Sequence, residues 1–196
     1  MKKFSLLLLS LILICTSVNA QVLNSKFDTK NHPKAKGVWA TVRYPTEWQP
    51  KEGERPNMVQ KFSGDYKGLF VMLAIQIMDA GAPVEKECRE TSAIEFGKDL
   101  SDDANQKVTA IKKGNHEGKP AYFYDIESKI ERAGMATTTR SRVMSVCYKN
   151  TLISTWCSPM KIDMQKQSMF TTQQHLSDVN PLCFQFFNSL VLMDKY

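Results

Sequence analysis

The sequence predicts an α+β fold in which an antiparallel β-sheet of about six to seven strands is covered by helices. Three observations lead to this prediction. Apolar runs bounded by turn residues recur along the chain, two segments change to a helical period, and each helix follows a group of strands rather than a single strand. We expect one domain over residues 37–196, after a cleaved export signal at 1–20 and a flexible leader at 21–36.

The first twenty residues have the pattern of an export signal. Lys2 and Lys3 precede an apolar stretch over residues 4–15, and the ending SVNA places Val18 and Ala20 at the positions that a signal peptidase reads. This stretch is shorter than the roughly 18 to 20 residues that span a bilayer. Cleavage is therefore expected after Ala20.

Lipidation at Cys15 is the weaker alternative, because that chemistry needs a small residue before the cysteine and Ile14 is large and branched. No N-x-S/T sequon occurs, so nothing indicates a glycosylated eukaryotic product. We expect the mature chain in a bacterial periplasm or outside the cell.

The charge distribution argues against nucleic acid as a partner. The chain has 26 basic and 20 acidic residues, and the loss of Lys2 and Lys3 leaves an excess of four. The lysines are scattered with acids nearby, whereas a nucleic-acid-binding domain concentrates them in one stripe. No second apolar stretch is long enough to span a membrane.

Two early strands are predicted from their patterns. Apolar residues alternate over 38–44, and Pro45 ends that strand because it has no N–H for the ladder. Trp48 then follows between two prolines. Residues 69–78 are almost continuously apolar, which is typical of a strand covered on both faces; flanking turn residues and β-branched content favour a strand over a helix there.

Two later segments have a helical period, and four predicted strands lie between them over residues 108–158. In the first segment, side chains recur every four residues; these are Cys88, Ser92, Phe96 and Leu100. The second begins with Asn180 and Pro181, an N-cap followed by a first-turn proline. Its apolar stripe consists of Cys183, Phe186, Phe187 and Leu190.

The four cysteines after the export signal are disulfide candidates, with three pairings open. They are Cys88, Cys147, Cys157 and Cys183. A two-residue turn at the KN dipeptide would place Cys147 opposite Leu152 and Cys157 opposite Arg142, on different faces of the sheet. If the closing helix returns antiparallel to the preceding strand, Cys157 and Cys183 come close, so this bridge is preferred. Unpaired cysteines buried in the core are the competing interpretation.

The histidines lack the spacing of a metal site or a catalytic pair. Metal sites use close pairs such as H-x-x-x-H, whereas His32, His116 and His175 are far apart in the sequence. His116 beside Glu117 is the remaining metal candidate, and an exposed turn histidine is the preferred interpretation. A Cys–His hydrolase is disfavoured because no flanking motif orients the pair and a disulfide would consume the thiol. We expect no catalytic residue, cofactor or metal.

Two further patterns have the residue types of a functional site, but a structural role is the preferred interpretation of both. Asp102 and Asp103 are adjacent, so on a helix they point about 100° apart and do not form a carboxylate pair. Met160, Met164 and Met169 form a methionine-rich segment, and thioethers of this kind can bind copper(I). Packing in a core or on an adaptable binding surface is the preferred role of these methionines.

Three short motifs, in order along residues 37–196, resemble the PsbP-like fold. They are Tyr44-Pro45 with Trp48, Gly118 with Pro120-Ala121, and Phe187 with Ser189. This fold is shared by photosystem extrinsic proteins, a Ran-binding import factor and periplasmic proteins of the DcrB type. The resemblance implies an α/β/α sandwich in which Trp48, Tyr44 and Pro45 form a structural plug at one end. The cysteine count departs from the family pattern, which leaves a redox role open.

The resemblance also implies a class of accessory or assembly factors without shared catalytic residues. We expect an exported, non-enzymatic binding protein of the bacterial cell envelope, whose partner is an envelope or secreted protein. The edge strands and the hairpin at 140–157 are the expected contact surface. The alternatives are a periplasmic immunity protein that neutralises a toxin, and a small thiol- or metal-dependent enzyme.

Overall fold

The computed structural model of the protein describes residues 23–101, 105–132, 135–163, 165 and 168–193, and the side chains of residues 130–136 are not described. The predicted export signal at 1–20 lies outside the described residues.

The described residues contain eleven strands in two sheets. The small sheet consists of β1 (Ser25–Asp28), β2 (Ala40–Tyr44) and β11 (Val191–Leu192), in the order β1-β2-β11. The large sheet consists of β3 (Gln49–Glu52), β4 (Met58–Tyr66), β5 (Leu69–Asp79), β6 (Gln106–His116), β7 (Lys119–Arg132), β8 (Met135–Tyr148), β9 (Thr151–Asp163) and β10 (Ser168–Phe170). Its order is β3-β4-β5-β9-β10-β8-β7-β6, with β9 also paired to β8. Its pairs are antiparallel except β10 with β8.

This architecture is α+β, but the expectation of six to seven strands covered by helices is wrong. The strand predicted at 38–44 belongs to the small sheet, because β2 pairs with β1 on one side and β11 on the other. The large sheet contains β3 and β10, whose sequences QPKE and SMF have no apolar alternation that a pattern could detect.

The segment 21–36, expected to be a flexible leader, contains two regular elements among its described residues. All four residues of β1 pair with β2, and a short 3₁₀ helix follows at Pro33–Ala35. Between them, the buried Thr29 hydroxyl donates to the carbonyl of Val38 and accepts from the N–H of Ala40, at 2.7 and 2.8 Å. Pairing with a neighbouring strand and a buried hydroxyl need no apolar period, so no sequence pattern indicated these elements.

In the part of the chain that the structure describes, four α-helices accompany the sheets: α1 (Glu85–Glu90), α2 (Ala93–Leu100), α3 (Gln173–Asp178) and α4 (Asn180–Asn188). The first predicted helical segment divides into α1 and α2 at Ser92, whose hydroxyl accepts from the N–H of Glu95 while the Glu95 carboxylate accepts from the N–H of Ser92. This capping box starts a new helix. The predicted closing helix is confirmed as α4, but its N-cap is Val179 and Asn180 is its first helical residue, so the predicted N-cap is wrong by one residue.

The two faces of the large sheet carry separate cores. The front face packs against the small sheet and α4, and its core includes Phe62, Leu73, Ile75, Cys157, Phe186 and Phe187. The back face packs against α1 and α2, and its core includes Cys88, Tyr122, Tyr124, Val143 and Cys147. The ring of Phe96 from α2 stacks on Tyr122 with centroids 3.9 Å apart.

The back face of β5 is covered less completely than its front face, although its apolar sequence predicts cover on both. Its front-face side chains are fully buried, namely Val71, Leu73, Ile75 and Ile77. On the back face, Phe70 is 43% exposed and Met72 is half-buried. The continuous apolar sequence of this strand is therefore not evidence that both of its faces are fully covered.

Each layer of helices is fixed to the sheet by one disulfide. Cys157 on β9 is bonded to Cys183 on α4, with Cα atoms 5.4 Å apart, which is the bridge that the sequence favours. Cys88 on α1 is bonded to Cys147 on β8, with Cα atoms 6.5 Å apart. The predicted register, with Cys147 opposite Leu152 and Cys157 opposite Arg142, is confirmed.

The segment after β2 returns an aromatic side chain to the front core. Trp48 is 3% exposed, Pro45 is buried, and the Tyr44 ring stacks on Phe62 with centroids 4.1 Å apart. Gly64 on β4 makes room for the indole, because a Cβ at this position would lie 2.5 Å from Cδ1 of Trp48. The placement suits the structural role expected of this segment.

Gly64→Ala is therefore expected to lower the free energy of unfolding by about 1–3 kcal/mol through overpacking. In a Trp48→Ala background, which itself costs about 3–5 kcal/mol, the same change should be close to neutral because the indole is gone. Urea unfolding of the four variants measures this coupling. Gly97→Ala is the control, since a Cβ there would lie at an ordinary 3.5 Å from Ile111 Cδ1. If the effects of Gly64→Ala and Trp48→Ala on the free energy of unfolding are additive, the two residues are not packed together.

Glu85 ties α1 to the strands beneath it. Its carboxylate lies 2.9 Å from Nζ of Lys119 and accepts from the N–H of Lys149 at 3.0 Å. Partial burial opposes ionisation, but the Lys149 N–H and the nearby cations outweigh it and lower the pKa of Glu85 below its ordinary 4.5. A depressed pKa means that the ionised carboxylate stabilises the fold above pH 4.5 and that this contribution is lost as the pH falls further.

We expect Glu85→Gln to lower the free energy of unfolding by about 1 kcal/mol at pH 7, and the difference from wild type to shrink as the pH falls below 4.5. Denaturant unfolding at a series of pH values measures it. Glu90→Gln, an exposed change on the same helix, serves as the control. A difference that stays constant down to pH 3 would refute a role for the ionised carboxylate.

Candidate functional site

The cysteines and histidines considered as catalytic or metal-binding candidates take part in disulfides or hydrogen bonds within the fold. The four described cysteines form the two disulfides. His32 accepts from the N–H of Lys34, and His175 accepts from the N–H of Thr172 at the start of α3. His116 Nε2 lies 2.8 Å from the carbonyl oxygen of Leu190, to which it must donate. None of the three histidines therefore meets a cysteine or a carboxylate in a catalytic arrangement among these bonds.

The other candidates divide between described and undescribed residues. Asp102, Asp103 and Met164 lie outside the described residues. Met160 and Met169 are half-buried on β9 and β10. Within the described part of the chain, no group of three or more His, Cys, Asp or Glu side chains is placed to hold a metal ion, and no helix is both long and apolar enough to cross a membrane.

A methionine-rich apolar surface lies on the back face of the central strands. We call it the open face and define it as Phe70, Met72, Trp156, Met160 and Ile162. Strand register aligns these side chains, because Phe70 pairs with Met160, and Met72 and Trp156 lie at alternate positions of the same two strands. Ile162 is 51% exposed. The sequence shows these residues, but periodicity does not reveal how far each side chain is exposed or that Trp156 also packs against the back core.

Trp156 marks the boundary between the open face and the covered back core. It pairs with Val143 of the covered core on one side and with Ala74 of β5 on the other. Its indole N–H donates to Oε1 of Gln76 at 3.0 Å, which holds the ring across the neighbouring strand. The open face therefore presents a fixed aromatic ring beside flexible thioethers.

The hairpin at 140–157, part of the expected contact surface, is not at an edge of the sheet. It lies inside the sheet, because β8 pairs with β7 and β9 pairs with β5. Its backbone groups are consequently used within the sheet, and β9 can offer a partner only its back-face side chains. The edges of the large sheet are β3 and β6.

A second concave site lies on the front face, between β6, β7, β8 and α4. This front cleft has a volume of about 270 Å³. Its lining includes Lys112, Phe123, Asp125, Arg142, Asn180 and Phe184. Aromatic rings thus form its walls, and charged groups from two adjacent strands form its floor.

The floor of the front cleft is an ion pair held by strand register. Asp125 and Arg142 are directly opposite on β7 and β8, and Nε and Nη2 of Arg142 donate to the two carboxylate oxygens at 2.8 and 2.9 Å. Nη1 of Arg142 donates to Oδ1 of Asn180 at the start of α4. The bond to Asp125 raises the pKa of Arg142, so the guanidinium stays charged.

Sequence analysis missed this pair, although a signal for it exists. Acids at 125 and 127 and bases at 140 and 142 are symmetric in the antiparallel register of β7 and β8, and both Asp125–Arg142 and Glu127–Arg140 are directly opposite in the sheet. Both are ion pairs, at 2.8 and 2.7 Å. The symmetry becomes visible only once the exact hairpin register is known.

A buried hydroxyl chain crosses the back face and is chemically inert. Tyr124 Oη lies 3.0 Å from Ser145 Oγ, which lies 2.7 Å from Ser154 Oγ. Burial raises the pKa of Tyr124 to about 12, so its hydroxyl remains protonated at neutral pH. The chain satisfies polar groups between the covered core and the open face.

No family model and no curated protein matches this chain. Two solved structures resemble it over most of its length. Cyanobacterial PsbP (CyanoP) from Synechocystis sp. PCC 6803 is 12% identical, covers 89% of this chain and 95% of its own, and has a TM-score of 0.49. The Ran-binding protein Mog1p of Saccharomyces cerevisiae is 8% identical, covers 89% of this chain and 98% of its own, and has a TM-score of 0.52. At this identity the likeness shows the fold alone, and the chain has the PsbP-like fold that its sequence predicts.

Proposed function

We propose that this chain is an exported, non-enzymatic accessory protein that acts by binding another protein, either a component of the bacterial cell envelope or a secreted protein. The observation that supports the proposal most is the open face. It places apolar side chains, with Phe70 and Ile162 43% and 51% exposed, on the central strands of the sheet rather than at a frayed end.

Burial of such a surface by a partner is favourable by about 25 cal/mol per Å² of apolar area. Methionine is suited to this use because its unbranched, polarisable side chain adapts to different partner shapes. Trp156 adds a rigid aromatic anchor held by Gln76, and Trp is enriched among the residues that dominate binding energy. Mog1p, which has the same fold, is a Ran-binding protein, so this fold supports protein binding in that case.

Different observations support the two other parts of the proposal, which are export and a non-enzymatic role. Two buried disulfides indicate a non-reducing compartment, and the first twenty residues have the pattern of an export signal. The disulfides leave no thiol among the described cysteines, and the three histidines bond to backbone groups. The side chains best able to serve as nucleophile or base thus hold the fold together.

The proposal predicts a site-specific crosslink. With a photoreactive benzoylphenylalanine in place of Phe70, illumination of the producing cells is expected to give an adduct of one defined mass, which mass spectrometry identifies. Met160→Lys should abolish the adduct, because Met160 is directly opposite Phe70 and a buried charge at the interface is costly.

The matched control carries the same photoreactive residue at Ile94, which is 69% exposed on α2 and lies away from the open face. No adduct at position 70, or the same adduct at both positions, would contradict the proposal. Sequencing of the mature N-terminus from the same cells tests export, with a start at Gln21 expected.

A further inference from the structure

The front cleft is separate from the open face, because the two lie on opposite faces of the large sheet. Lys112, Phe123, Asp125 and Arg142 occupy the front-face positions of β6, β7 and β8. Phe70 and Met160 occupy the back-face positions of β5 and β9. Binding in the front cleft therefore does not depend on the proposed binding of a protein at the open face.

The front cleft has an excess of positive charge. Two cations and one carboxylate line it, and that carboxylate is already neutralised, since Asp125 is 6% exposed and both of its oxygens accept from Arg142. Lys112 is exposed and has no ion pair with a residue in the described ranges. A negative group that enters the cleft meets Lys112 and no free acid.

Arg142 retains donors for such a group. A guanidinium has five N–H donors, and the bonds to Asp125 and Asn180 use three of them. The same bonds fix the guanidinium in place, so a ligand would not need to order it on binding. The side chain of Arg142 is 20% exposed, at the floor of the cleft.

The walls of the cleft select an apolar group beside the negative one. Phe184 is 42% exposed, its ring lies edge-on to Phe187 with centroids 6.2 Å apart, and Phe123, which also lines the cleft, is half-buried. The volume of about 270 Å³ lies just below the range of about 300–1,000 Å³ that is typical of ligand-binding pockets. This space suits a single side chain with an attached carboxylate rather than a nucleotide.

We propose that the front cleft binds a carboxylate attached to an aromatic or large aliphatic group, with the carboxylate between Lys112 and Arg142 and the apolar group against Phe184 and Phe123. Two sources share this chemistry. One is a free carboxylic acid of small size, and the other is the C-terminal residue of a polypeptide.

The test is a titration of the mature protein, followed by NMR, with N-acetyl-phenylalanine and with its amide as probes. The acid is expected to bind saturably and about tenfold or more tightly than the amide, since hydrogen bonds to a charged group are the stronger ones. Lys112→Met should remove most of this preference, and Phe184→Ala should weaken binding of the acid by about tenfold, as expected for loss of an aromatic contact.

Each variant has a matched control. Ile94→Ala removes an exposed apolar side chain from α2, away from the front cleft, and Lys86→Met removes an exposed charge from α1; both should leave binding unchanged. No saturable binding of the acid, equal binding of acid and amide, or equal effects of variants and controls would overturn the proposal. A pentapeptide ending in Phe that binds more tightly than N-acetyl-phenylalanine identifies a polypeptide end as the source, and equal affinity identifies a free acid.

Discussion

The central constraint on this protein is that its large sheet is apolar on both faces, while its helices can cover little more than one. Eight strands about 4.8 Å apart give a sheet roughly 34 Å wide, whereas α1 and α2 are six and eight residues long, or about 9 and 12 Å at 1.5 Å per residue. The back core that α1 and α2 help to form contains no residue of β5 among the described side chains. The open face is the part of the back face that these two short helices do not cover.

The two disulfides fix which part of each face is covered. Cys157–Cys183 holds α4 on the front of β9, and Cys88–Cys147 holds α1 on the back of β8. Because the front layer also contains the small sheet and Trp48, it closes over β4, β5 and β9. The front cleft remains where α4 diverges from β6 and β7, and the open face remains where the back layer ends.

Several features could be predicted because a short local pattern determines them. The two-residue turn sets the register of β8 and β9, so the partners of Cys147 and Cys157 follow from counting. Other features depend on distant residues. The sequence of β5 is the same whether its back face is covered or bare, and cover is decided by the lengths of α1 and α2 together with the Ser92 cap that divides them. β1 pairs without an apolar pattern, and the Asp125–Arg142 pair needs the exact register of a long hairpin.

Methionine oxidation footprinting tests most directly whether the open face is bare in the isolated protein and covered in the cell. With dilute hydrogen peroxide, Met72 and Met160 of the purified protein should convert rapidly to the sulfoxide, while Met144, which is fully buried, should not. In intact producing cells, the same two methionines should be protected. Equal oxidation of Met72 and Met160 in both samples would contradict the account.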